Sequence, residues 1–191
     1  MRNDLIGLMS ARRGHFKLES GHHGALWLDL DGLFLHPSRL RPFMAELGAK
    51  LGAYRLDGVC GPLAGGAFVA QAIAAEMGLE FYHTERTGPR SDALYGTQYR
   101  LPEALRSRVS GKRLAIVDDV INAGSAVRAT LAEVAGLGSV PIAIGALLVL
   151  GTTAGRFATA QSLPLVSIAS LSNEIWEPSE CPLCAAGVPF D

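Results

Sequence analysis

Two adjacent acids, Asp118 and Asp119, follow an apolar run at 114–117 and precede a small-residue turn, Asn122-Ala123-Gly124-Ser125-Ala126. The apolar run reads as a buried strand. A helical pattern opens in the turn and continues to about residue 137. Strand, acids, tight loop and helix N-terminus together make an anion cradle. The N–H groups of a first helical turn have no intrahelical partner, and the helix dipole favours negative charge beside them. Small side chains let a phosphate approach the backbone closely. Carboxylates at the C-terminal edge of a sheet can accept hydrogen bonds from sugar hydroxyls or hold a divalent ion through water. Acidic decoration of a helix cap would need one acid, and here there are two.

A second loop, Gly61-Pro62-Leu63-Ala64-Gly65-Gly66, also lies between a predicted strand and a predicted helix. A plain strand-to-helix turn needs one glycine. Three let backbone N–H groups close on a diphosphate. No Gly-Lys-Ser/Thr follows either loop, so neither is a Walker loop.

The elements that must position these loops follow from the apolar pattern. Strands are expected near 15–19, 25–30, 56–61, 79–83, 114–117, 140–150 and 165–168. Helices are expected from Asn3 or Asp4 to near Gly14, from about Pro42 to 53, and over 65–77. The second of these starts late because Pro37 and Pro42 are poor mid-helix residues. Strand and helix alternate from residue 57 onward, which predicts an α/β fold with a central, mostly parallel sheet flanked by helices. Residues 84–112 show no period and hold Arg86, Arg90, Arg100, Arg106 and Arg108 among several glycines and prolines. A connection this long is a functional lid or a surface excursion. As a lid it would set arginines against phosphates.

The chain has 191 residues, 49% of them hydrophobic, which suits one domain with a sizeable core. Its net charge of −1, with no basic block, argues against nucleic acid as a partner. No apolar stretch is long enough to span a bilayer and no signal-peptide core opens the chain, so a cytoplasmic protein is expected. Three cysteines argue against a disulfide framework.

Residues 114–130 resemble the phosphoribosyl-pyrophosphate (PRPP) motif of type I phosphoribosyltransferases. That motif is an apolar strand, two acids, two apolar residues and a Thr-Ala/Thr-Gly-Thr/Ser loop; Asn122 stands in place of the usual Thr. Other stretches resemble orotate phosphoribosyltransferases within that family. Phe16-Lys17-Leu18-Glu19-Ser20-Gly21 followed by Trp27-Leu28-Asp29 is similar to their N-terminal substrate segment. Residues 61–66 are similar to their pyrophosphate loop, and 81–86 to the entry of a β-ribbon hood. The Cys181-Pro182-Leu183-Cys184 tail is similar to that of one branch.

The resemblance implies a single type I phosphoribosyltransferase domain over 1–191, with a substrate segment at 1–36, a flexible hood loop at 84–112 and a C-terminal tail at 170–191. It implies transfer of the 5-phosphoribosyl group of PRPP to a nitrogen base, orotate first, with Mg²⁺ bound along with PRPP and no metal ligated directly by the protein. Asp118, Asp119, Val120, Ile121, Asn122, Ala123, Gly124, Ser125 and Ala126 would bind PRPP. Leu63, Ala64, Gly65, Gly66, Arg86 and Arg90 would hold pyrophosphate, and Trp27, Leu28 and Asn122 the base. Asp118, Asp119 and Arg86 would be catalytic. Hoods that reach into a neighbour's site imply a homodimer. A transferase for another purine or pyrimidine base, or a non-catalytic PRPP-binding regulator, is the alternative.

The chain departs from the family pattern in three places. No lysine lies in 84–111 where the family carries a catalytic one, and arginine cannot hand over a proton. The Asp-Arg pair expected after the strand ending near Leu150 is replaced by Gly151-Thr152-Thr153, with Arg156 shifted beyond it. Glu19 stands where some members place a lysine. These changes predict normal PRPP binding and slow use of orotate. Cys181 and Cys184 have the spacing of half a zinc site, but no second Cys pair is present. His22 and His23 read as turn or substrate-rim residues.

Overall fold

The computed structural model describes residues 2–88 and 93–191. Six strands form the main sheet in the order β5-β4-β3-β6-β7-β8. They are β3 (Gly58–Pro62), β4 (Glu80–Thr87), β5 (Gln98–Arg100), β6 (Arg113–Ile121), β7 (Val140–Leu150) and β8 (Leu165–Leu171). All pairings are parallel except β4 with β5. Eight consecutive residues of β7 are buried, as a parallel strand covered on both faces requires.

Helices cover both faces. On one, α2 (Pro37–Leu51) and α3 (Gly65–Met77) bury Leu40, Leu47, Leu51, Val69 and Ile73 against Ala115, Val117 and Leu147. On the other, α5 (Ser125–Gly136) and α6 (Thr153–Ala160) bury Val127, Leu131, Val134 and Ala158 against Leu114, Ile116 and Ile144. Alternate residues of β6 thus feed opposite layers, as strand geometry dictates. From the central pair β3–β6, the chain leaves β3 through α3 to β4 on one side. It leaves β6 through α5 to β7 on the other. The strand order therefore reverses between β3 and β6, and such a switch point opens a crevice at the strands' C-terminal ends. The loops at 61–66 and 118–126 flank it.

A smaller antiparallel sheet, β1-β2-β9, stands beside the crevice. It comprises β1 (Ser10–Lys17), β2 (His23–Asp29) and β9 (Ile175–Trp176). Short helices α1 (Arg2–Ile6), α4 (Glu103–Arg106) and α7 (Pro182–Ala185) complete the fold.

Three expectations are corrected. The first helix ends at Ile6 rather than near Gly14, because Ser10–Arg13 pair with Asp29–Leu26 of β2. Helix α2 starts at Pro37, with Pro42 inside it. A mid-helix proline costs about 3 kcal/mol; burying Leu40, Phe43, Leu47 and Leu51, at roughly 1.5–3 kcal/mol each, outweighs it. Finally, Asp118 and Asp119 do not follow β6 but belong to it, with Asp118 opposite Ala146 and Val120 opposite Leu148.

Candidate active site

The acidic pair is held by its own backbone. Asp118 Oδ1 accepts the Asp119 N–H at 3.0 Å, and Asp119 Oδ1 accepts the Val120 N–H at 2.7 Å. Both side chains are buried. Loss of water, and then the neighbouring Asp119 charge, push the Asp118 carboxyl well above the usual carboxylate range. Burial also raises Asp119, opposed by the Val120 N–H it accepts. Two carboxylates in this setting do not ionise together without a compensating cation.

The turn after β6 is an uncapped helix start. Gly124 takes the left-handed conformation at φ 82°, and no side chain caps α5. The first helical bond runs from Arg128 N–H to Gly124 O at 2.9 Å. Ser125 Oγ is buried and has no hydrogen-bond partner among the described residues. A buried hydroxyl without a partner is costly, and here it sits among the open N–H groups of a helix N-terminus. Donors arranged in this way are what a phosphate monoester needs. Arg128 braces the loop. Its guanidinium lies between the rings of Tyr95 (4.3 Å) and Phe157 (4.0 Å), and its Nε donates to Ala123 O at 3.4 Å.

The glycines at 61–66 are required by contact. A Cβ on Gly65 would meet Asp119 Oδ2 at 2.0 Å, and one on Gly66 would meet Asp118 Oδ1 at 2.7 Å. On Gly61 it would meet the Gly66 carbonyl oxygen at 2.1 Å. Leu63 N–H donates to Thr84 O at 2.8 Å, and the Leu63–Ala64 peptide bond is cis. Helix α3 also starts without a side-chain cap, at Ala64. The N-termini of α3 and α5 therefore both open beside one acidic pair.

A cleft of about 240 Å³ joins the 122–126 turn to the small sheet. Asp118, Val120, Asn122, Ala123, Gly124, Ser125 and Ala126 form one wall, with Leu150. Leu18, Glu19, Ser20, Leu26, Trp27 and Leu28 face them. Asn173 Nδ2 donates to Asn122 Oδ1 at 3.2 Å and fixes that amide. Trp27 is 38% exposed and packs against Phe16 with ring centroids 5.7 Å apart.

The 84–112 segment is a ribbon for part of its length, with Glu85, Arg86 and Thr87 opposite Arg100, Tyr99 and Gln98. It rests on its own chain's substrate segment. Tyr95 N–H donates to Ser20 O at 3.0 Å, and Tyr99 Oη donates to Glu19 Oε1 at 3.1 Å. Arg86 lies 3.8 Å from the same Glu19 oxygen and does not line the cleft. Arg90 falls outside the described residues. Arg156 lies on α6, by Glu177 and Glu180, away from the cleft. The cleft thus gathers Asp118, the 122–126 turn, Trp27 and Leu28, while Gly65 and Gly66 abut its acids. Sequence reading missed Arg128, whose signal was a lone basic residue one turn into the phosphate helix. It also missed Asn173, which no local pattern marks.

No family model matches the sequence. The orotate phosphoribosyltransferase of Caldanaerobacter subterraneus subsp. tengcongensis is 30% identical over 178 residues, 93% of this chain and 87% of the relative. That of a Thermoanaerobacter species is 28% identical over the same shares. Among solved structures, adenine phosphoribosyltransferase from Thermoanaerobacter pseudethanolicus superposes with a TM-score of 0.70 at 18% identity, over 90% of this chain and all of that one. Orotate phosphoribosyltransferase from Aeropyrum pernix gives 0.64 at 23% identity, over 86% and 89%. The two structures share the type I phosphoribosyltransferase fold, and by its sequence relatives the chain belongs to the orotate phosphoribosyltransferase family of transferase enzymes.

Proposed function

We propose that the protein transfers the 5-phosphoribosyl group of PRPP to orotate, forming orotidine 5′-phosphate and pyrophosphate. The observation that carries this reading is the orphaned Ser125 hydroxyl in the uncapped start of α5, placed beside two buried acids. The 122–126 turn takes the 5′-phosphate. The glycine-walled start of α3 takes the diphosphate, and Asp118 and Asp119 between them take the ribose hydroxyls. As the C1–oxygen bond to pyrophosphate breaks, positive charge develops on the ribose. The acidic pair stabilises it electrostatically in a site of low polarity. The leaving diphosphate keeps the bonding electron pair; the base nitrogen forms the new bond to C1 and gives up its proton, which passes to the diphosphate or to solvent. The base is held between Trp27 and Leu28 and the Asn122 amide, so the protein's work is positioning.

Mg²⁺ fits this donor set. Two buried carboxylates with raised proton affinity offer hard oxygen ligands beside a diphosphate site, and Asp118 and Asp119 would hold the ion through water. The ion supplies charge neutralisation of the diphosphate. We also propose a cytoplasmic homodimer in which the ribbon closes the site. No helix among the described residues is long and apolar enough to cross a membrane.

One observation favours a second reading of the base. Among the described residues lining the cleft there is no Lys or Arg, whereas Glu19 is present. An orotate carboxylate would meet Glu19, whose charge Arg86 only partly offsets from 3.8 Å, and this favours a base without a carboxylate. A panel of orotate, uracil and adenine with PRPP and Mg²⁺, scored for nucleotide and pyrophosphate, tests both. Orotidine 5′-phosphate as the main product supports orotate. Faster turnover of uracil supports the second reading, and no nucleotide from any base refutes the transferase reading.

A further inference from the structure

We infer that His15, His23, Cys181 and Cys184 form a tetrahedral zinc site that clamps the C-terminal tail onto the strand pair carrying the base-binding wall. Sequence reading found half a site at Cys181 and Cys184 and expected no protein-ligated metal. The fold supplies the other half. One ligand atom from each of the four residues lies within 4.8 Å of all the others. Cys181 Sγ is 3.4 Å and Cys184 Sγ 3.7 Å from His15 Nε2, and Cys184 Sγ is 3.2 Å from His23 Nδ1. Zinc–sulfur and zinc–nitrogen bonds of ordinary length require tetrahedron edges of about 3.3–3.8 Å. Two thiolates and two imidazoles select zinc over hard cations, and four protein ligands leave no open position, the mark of a structural site.

The surroundings are arranged for ligation. His15 Nδ1 lies 2.7 Å from the Val188 carbonyl, which can only accept, so Nδ1 carries the proton and Nε2 turns its lone pair to the sulfurs. The pairing of β1 with β2 shifts register between Arg13 and Phe16. His15 and Phe16, neighbours beside that bulge, are both buried, His15 against the tail and Phe16 against Trp27. Gly14, inside it, leaves room for Asp191; a Cβ there would meet Asp191 Oδ2 at 2.0 Å. Asp191 in turn accepts the His15 N–H at 2.8 Å. Phe190 lies against both imidazoles, with centroids 4.1 and 4.8 Å away.

Hydrogen bonds and ring contacts tether the tail, but apolar burial contributes little to holding it. From residue 170 onward Cys181 alone is buried. Strand β9 joins β2 through only His23↔Trp176 and Gly24↔Ile175. A segment with so little apolar burial gains stability from a metal crosslink. Strand β2 also carries Trp27 and Leu28, so the clamp holds the base wall through that strand.

Metal content of the full-length protein, purified under reducing conditions from zinc-supplemented cultures, tests the site. About one zinc per chain is expected. Cobalt replacement should give the intense visible bands of a tetrahedral centre and sulfur-to-cobalt charge transfer in the near ultraviolet. Cys184→Ser and His23→Ala should each lose most of the metal, with far-ultraviolet circular dichroism reporting that the sheet persists. Cys60→Ser, and Asp118→Asn with Asp119→Asn, should keep it, which separates this site from the acidic pair. Chelation should lower Tm, and zinc should restore it. Protein that is metal-free as purified and takes up no cobalt overturns the proposal, whether its tail thiols are free or joined in a disulfide. Zinc retained in both single-ligand variants overturns it equally.

Discussion

Under the proposed function, Asp118 and Asp119 serve the chemistry at the expense of ligand-free stability. Their raised proton affinity means that the folded chain binds more protons than the unfolded one between the ordinary carboxylate range and the raised folded value. Stability therefore falls as pH rises through that window. Asp118→Asn removes the penalty. The ligand-free variant should melt higher than the parent at neutral pH, and the difference should vanish below about pH 4, where both are neutral. Its kcat should fall about 10²–10³-fold, the usual loss for one preorganised electrostatic group. Melting curves against pH and steady-state rates check both. An unchanged kcat would reduce the pair to a fold feature. At Ser125, removing the hydroxyl forfeits a bond to a charged group worth roughly 1.5–3 kcal/mol. Ser125→Ala should thus weaken PRPP binding about ten- to a hundredfold in calorimetry. It is a cleaner test than a β-branched residue at Gly124, where φ of 82° would add backbone strain. Glu19→Gln keeps an acceptor for Tyr99 but removes a charge from the cleft. Unscreened like charges in contact near a surface cost a few kcal/mol, and Arg86 offsets part of the Glu19 charge. KM for orotate should therefore drop about tenfold, and KM for uracil should not move.

At the scale of elements, the start of α3 works only because its glycines leave space for acids carried by β6. Gly65→Ala would drive a methyl into Asp119. Overpacking of this kind costs about 1–3 kcal/mol, and displacing the acid should lower kcat/KM at least a hundredfold. Gly155 in α6 is the contrasting case, with nothing within 4 Å of an added Cβ. Gly155→Ala should raise stability by about 0.5–1 kcal/mol through the unfolded chain's entropy, with activity unchanged. Paired denaturation curves and rates distinguish the two. The ribbon is a weaker element. Its ion pair between Arg86 and Glu19 is about one-third exposed on each side and holds little energy. Movement of the ribbon toward the proposed diphosphate site would have to break the Tyr95–Ser20 and Tyr99–Glu19 hydrogen bonds as well as this ion pair.

At the scale of the whole molecule, the proposed dimer needs a face. Leu35 is 72% exposed and Phe68 47% exposed, and Phe68 packs on Phe34 with ring centroids 5.1 Å apart. Phe68 belongs to α3, whose N-terminus flanks the active site, so a partner seated there would lie beside the diphosphate loop. Leu35→Asp with Phe68→Asp should convert a dimer into a folded monomer by light scattering, with reduced turnover. A parent protein that is monomeric and fully active at assay concentration would refute the dimer.

The two strand–turn–helix units proposed to bind anions were legible as local structure because each is built from contiguous residues. A strand, a glycine or acid-rich turn and a helix start carry their own geometry, so 61–66 and 118–126 could be read without knowing what packs against them. Helix α3 was placed at its observed ends, Gly65 and Met77, for the same reason. The alternation of strand and helix from 57 onward likewise implied a parallel sheet. What the sequence could not show depends on pieces that meet only after the chain has folded. The thiols of Cys181 and Cys184 meet imidazoles 161–169 positions earlier, through two ladder pairs and a bulge that no local pattern announces. The depth of Asp118, the contact of Gly65 with Asp119 and the stacking of Arg128 between Tyr95 and Phe157 are of the same kind. Local backbone preference acts over a few residues and can be read from them. Burial, charge coupling and metal-ligand distance act through space, and only the tertiary packing sets them.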